Sequence, residues 1–159
     1  MKTMAVRVLI GFWIVFLVWL AGFTVGAAAN ADVLVWASIP LTLIPIAGLY
    51  FLPANAERAG WALFTVWLGS TYAALGTPLE LGVFGLICVF AILGYFRSSW
   101  LFVISWFGHI AWDFVPRSLP DLYLDLPAAC MLFDGAIGLY LAWRIRRGTL
   151  SVRPIGFAL

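Results

Sequence analysis

The chain has a single histidine, and it stands four residues ahead of an aspartate inside an apolar stretch, Trp106-Phe107-Gly108-His109-Ile110-Ala111-Trp112-Asp113. On a helix these two side chains share a face. An imidazole beside a carboxylate can relay a proton, serve as an acid–base couple or contribute to a cation site. Two further acids, Glu80 and Asp134, lie in or at the edge of other apolar runs. An ionisable group in a membrane helix costs ~2.5–3.5 kcal/mol at the centre of the bilayer, so finding several of them is a functional signal.

The membrane setting follows from composition. Of the 159 residues, 65% are apolar and 10% charged, far from the balance of an ordinary soluble domain. That length accommodates five or six spans of ~20 residues with little left over, which excludes a separate soluble catalytic domain. The formal net charge of +2 comes from scattered basic residues rather than a basic run, so no nucleic-acid partner is indicated. The fold expected is an all-α, polytopic transmembrane helix bundle of six spans forming one domain over 1–159.

Hydropathy and breakers place the helices at about 8–27, 33–52, 61–75, 79–96, 100–115 and 127–143. The first contains Gly22-x-x-x-Gly26, a small-residue packing face. A cleaved signal peptide is the alternative, since a basic start and Ala29-Asn30-Ala31 mimic a processing site; cleavage would leave five spans. Pro40 and Pro45 predict a kink in the second helix. Residues 53–60, with Glu57 and Arg58, read as a polar turn, and the third helix ends in hydroxyl-bearing Ser70, Thr71 and Tyr72. Pro78 suits the first turn of the fourth helix. Residues 116–127 form the longest loop, with leucines alternating with Asp121, Tyr123 and Asp125 in the manner of an interfacial segment.

Six spans put Lys2, Arg7, Arg58, Arg97, Arg144, Arg146, Arg147 and Arg153 on one side and Arg117 alone on the other. By the positive-inside rule both termini are cytoplasmic, in a bacterial-type inner membrane. The same count fixes depth. Glu80 opens helix 4, Asp113 closes helix 5 with His109 a turn deeper, and Asp134 enters helix 6 a turn beyond Cys130. All then fall in the outer half of the bilayer, and His109, Asp113, Asp134 and Glu80 form the expected site. Trp106, Trp112, Cys130, Ser105, Thr71 and Tyr72 are the residues expected to line it.

A metal-free site for a proton, cation or small solute fits this inventory best, and no cofactor is predicted. A divalent metal on His109, Asp113 and Asp134 is the lesser expectation, since one histidine is few for a membrane metalloenzyme. Cys88 and Cys130 are offset by ~9 Å along the bundle axis, too far for a disulfide, and read as ordinary buried thiols.

Glu80, His109-x-x-Trp112-Asp113 and Cys130-x-x-Phe133-Asp134 together resemble a family of small bacterial polytopic membrane proteins whose function is uncharacterised. The resemblance covers roughly the second half of the chain and implies no activity. Two other functions stand beside solute binding: an intramembrane enzyme doing acid–base chemistry on a lipid or isoprenoid, and an accessory subunit packed against a larger membrane partner. The expected partners are the bilayer, a small solute or lipophilic ligand, and a second copy or larger partner.

Overall fold

The starts of the helices follow from local chemistry. Thr77 is extended (φ −65°, ψ 156°) and caps α4 (Pro78–Phe96), its hydroxyl accepting from the Glu80 amide while the Glu80 carboxylate accepts from the Thr77 amide. Pro78 occupies the first turn, where a missing N–H costs nothing. A proline also lies in the first turn of α6 (Leu126–Arg146). The remaining helices are α1 (Lys2–Ala29), α2 (Leu34–Tyr50), α3 (Ala54–Thr71) and α5 (Trp100–Asp113). The computed structural model describes residues 2–29, 33–71, 77–116 and 125–151, and all six helices fall within them. Tyr72, Arg117, Arg153 and the alternating segment 117–124 lie outside the described residues, as does the side chain of Thr71.

Three helices are long and apolar enough to cross a membrane: α1 over Met4–Phe23, α4 and α6. α2 is apolar but shorter, and α5 has 14 residues. The clearest departure from the sequence reading is at α3, which begins at Ala54 rather than Trp61. The Pro53 carbonyl accepts from the amides of Ala56 and Glu57, and Glu57 falls in the first turn, where the helix dipole favours an acid. What read as a polar turn is therefore helix, its charge balanced by a partner on α6. α2 runs through Pro40 and Pro45 as one helix, and its Ser38 and Thr42 hydroxyls bond back to the carbonyls of Val35 and Ile39.

α5 and α6 are antiparallel neighbours with the most extensive mutual contact, followed by α3 with α4, α2 with α6 and α4 with α5. α1 packs on α2 and α3 at the edge of the bundle. There the Trp13 indole donates to the Gly48 carbonyl at 3.0 Å, and the Trp67 ring fills the notch at Gly22. The core is aromatic at its centre. Trp61 and Phe64 of α3, Trp106 of α5 and Phe133 of α6 are all buried, with ring centroids 6.0–6.4 Å apart in successive contacts. Outward-facing Phe12, Trp19, Phe23 and Leu139 are each at least 60% exposed, a surface suited to lipid rather than water.

Candidate functional site

His109 lies on the α5 face that also carries Phe102, Trp106 and Asp113, all of them buried. Asp134 of α6 meets it directly: His109 Nδ1 and Asp134 Oδ2 are 2.5 Å apart. With Asp134 ionised and the ring neutral, His109 Nδ1–H donates and the lone pair is left on Nε2. That nitrogen faces Asp113 Oδ2 at 3.9 Å, beyond hydrogen-bond length. Phe84 of α4 closes the third side, its ring edge-on to the imidazole with centroids 4.9 Å apart. One residue type thus presents two chemically different ends, an Nδ1 end held by an acid and an Nε2 end turned to other donors.

The third donor is Cys130. One ligand atom each from His109, Asp113 and Cys130 lies within 4.8 Å of the others. Both cysteines are free thiols. Cys130 and Asp134 are one turn apart on α6, so a single helix face supplies the thiol and the acid that holds the imidazole. This nitrogen, oxygen and sulfur set could hold a metal ion, and the donors suit a borderline metal such as zinc rather than magnesium or calcium.

Not every expected residue comes to this point. Glu80 is buried at the same end of the bundle, but its carboxylate serves the α4 capping box. Trp112, like Leu126 and Cys130, packs against the buried cluster of Phe84 and Ile87 beside the site. Trp106 is one turn deeper, in the aromatic core, where its ring meets that of Phe133, the neighbour of Asp134. Ser105 ties α5 to α4 by donating to the Ile87 carbonyl at 2.9 Å. It sets the helix that carries His109 without being part of the donor set.

A second polar cluster at the other end of the bundle escaped the sequence reading. Glu57 is wholly buried, ion-paired with Arg144 and accepting from the Tyr140 hydroxyl at 2.7 Å. The Arg144 guanidinium also lies over the Tyr50 ring, 4.8 Å from its centroid. The signal available was Tyr140 and Arg144 one turn apart on α6, a matched donor face for an acid in the first turn of α3. Arg58 beside it donates to Asn55 Oδ1 at 2.9 Å and lies over the Tyr95 ring.

Fold and site together define a helical bundle with membrane-length helices and, at one end, a cluster of buried His109 and Asp113 with half-buried Cys130. No known protein family, curated protein or solved structure matches the chain. Its function is therefore read from the geometry.

Proposed function

We propose that this chain is a six-span membrane protein that binds a divalent transition-metal cation of the zinc class in the outer half of the bilayer. His109 Nε2, Asp113 and Cys130 would be the ligands, and Asp134 would orient the imidazole. The observation that carries the reading is the two-ended use of His109: an acid holds Nδ1 at 2.5 Å while Nε2 faces the Asp113 carboxylate at 3.9 Å, and one ligand atom each of His109, Asp113 and Cys130 lies within 4.8 Å of the others. Metal-binding histidines commonly have such a carboxylate behind them, which fixes the tautomer and raises the basicity of the ligating nitrogen. A tetrahedral zinc with bonds of ~2.0–2.3 Å draws its ligands to roughly 3.3–3.8 Å from one another, so side-chain shifts of about 1 Å close the set. Three protein ligands leave a fourth position for water or a solute.

The six-span topology in this proposal rests on the even helix count and on the basic residues. Arg58, Arg97, Arg144, Arg146 and Arg147 lie at helix ends opposite the site, which makes that end the cytoplasmic one by the positive-inside rule. Retention of α1 is supported by its contacts with Gly48 and Trp67. The 2.5 Å His109–Asp134 contact also favours a second reading, in which the pair shares a proton and no metal is bound.

Cobalt(II) separates the two, because thiolate ligation gives it a charge-transfer absorption that zinc(II) then displaces. Purified protein in detergent should bind one equivalent with that absorption. Cys88→Ala should leave the signal intact, whereas Cys130→Ser should remove it and weaken binding at least tenfold, the order that ligand-shell changes produce. Folded wild-type protein that takes up neither cobalt nor zinc would overturn the metal reading in favour of the proton pair.

A further inference from the structure

At the end of the bundle opposite the His109 site, a groove of about 610 Å³ runs between α5 and α6. Trp100, Val103 and Phe107 of α5 form one wall, and Leu139, Ala142 and Trp143 of α6 the other. The spacing along α5 is three and then four residues, one continuous helix stripe. Phe107 also packs into the notch at Gly138, which brings the two helices close and gives the groove its floor. From Trp100 to Phe107 the groove extends ~10 Å into the apolar surface, at 1.5 Å per residue. Its mouth is different in character. Arg146 and Arg147 line it, both exposed, and no acidic residue does. Neither arginine is in an ion pair among the described residues. Arg147 is held over the Trp143 ring, 5.2 Å from its centroid, so one cation stands directly above an aromatic wall.

We propose that this groove binds an anionic phospholipid, with the headgroup phosphate between Arg146 and Arg147 and an acyl chain along Val103, Phe107 and Leu139. The assignment follows from charge complementarity at the mouth and from position. Paired, unneutralised arginines above an apolar slot match a molecule that is anionic at one end and hydrocarbon at the other. Basic pockets between spanning helices on the cytoplasmic side have this chemistry. The tryptophans at the mouth match the interfacial depth at which indole rings accumulate. The groove shares no residue with the His109 site, so its assignment rests on the proposed six-span topology but not on the metal reading.

The test is native mass spectrometry of the full-length protein in detergent, with phosphatidylglycerol and phosphatidylcholine of identical chains offered at equal concentration. Wild type should retain phosphatidylglycerol at least tenfold more than phosphatidylcholine, the order of preference expected when each of two basic residues adds ~1 kcal/mol near an anionic headgroup. Arg146→Gln with Arg147→Gln should abolish the preference, whereas Arg97→Gln, which removes a charge at the same end outside the groove, should leave it. Leu139→Trp, which fills the slot and keeps both charges, should also reduce retention of phosphatidylglycerol. Melting curves of each variant confirm folding before comparison. Equal retention of the two lipids by wild type would overturn the proposal. So would an unchanged preference in the folded double variant, or a loss as large in Arg97→Gln, which would mean that overall charge and not the groove selects the lipid.

Discussion

At the scale of single residues, the site turns on which atom of His109 does what. Asp113 and Asp134 are both buried acids beside the same ring, yet they sit at opposite ends of it, and that makes their substitutions different. Asp134→Asn keeps an acceptor for Nδ1–H and should preserve the fold, but it removes the negative charge behind the imidazole. Cobalt affinity should fall ~10–100-fold, as substitutions behind a metal-bound histidine commonly produce. Asp113→Asn replaces a proposed ligand and should weaken binding further. Chelator-competition titrations on the two variants measure both effects, and equal affinity in Asp134→Asn and wild type would remove Asp134 from the site. The approach of His109 and Asp134 was legible in the sequence, because α5 and α6 are consecutive spans, which makes them antiparallel and places both residues near the linked ends. The part of Cys130 was not. Periodicity puts 130 and 134 on one face, but whether the thiol comes near His109 and Asp113 depends on how α6 is rotated against α5, and packing alone decides that.

Among the helices, glycine notches show how side chains set the approach of one element to another. Gly22 and Gly26 form a small-residue motif in the sequence, but the two are used differently. A Cβ on Gly22 would fall 2.1 Å from Trp67 ring atoms, whereas one on Gly26 would meet nothing within 4 Å. Gly22→Leu should therefore pry α1 from α3 and cost ~1–3 kcal/mol, the usual range for overpacking. Gly26→Leu should be near silent. Thermal unfolding in detergent distinguishes the two, and equal effects would mean that α1 does not pack as described. Most helix boundaries were legible to within a few residues, since Thr77-Pro78 and the turn after Phe96 carry their own signals. The start of α3 was not, because polarity at Asn55, Glu57 and Arg58 reads as exposure. Glu57 is instead buried by pairing with Arg144, a partner 87 residues away that no local pattern announces. Removing either member of such a pair typically costs ~3–5 kcal/mol, because the other is left as an unmatched buried charge.

For the molecule as a whole, the two polar clusters occupy opposite ends of one bundle. The His109 cluster is built from the start of α4, the end of α5 and the start of α6; the Glu57 cluster joins the start of α3 to the ends of α2 and α6. Both chain ends should face the cytoplasm, with epitope tags at either terminus protected in intact cells and reactive after permeabilisation. A tag reached from outside at one terminus alone would require an odd number of crossings. That Arg58, Arg97, Arg144, Arg146 and Arg147 stand at helix ends away from His109 was legible in the sequence, because it needs only the order of the helices. The layer between the clusters was not, because composition supplies the aromatics without their places. There Trp61, Phe64, Trp106 and Phe133 are packed ring against ring, each no more than 8% exposed. In a bilayer that layer is insulation. A unit charge carried through the full field gains ~2.3 kcal/mol per 100 mV, and the steepest fall in potential lies where neither water nor mobile charge penetrates. On the proposed reading, a cation that enters at the near face and halts at His109 would have crossed little of that fall, so its occupancy would be set by concentration on its own side and scarcely by the voltage across the membrane.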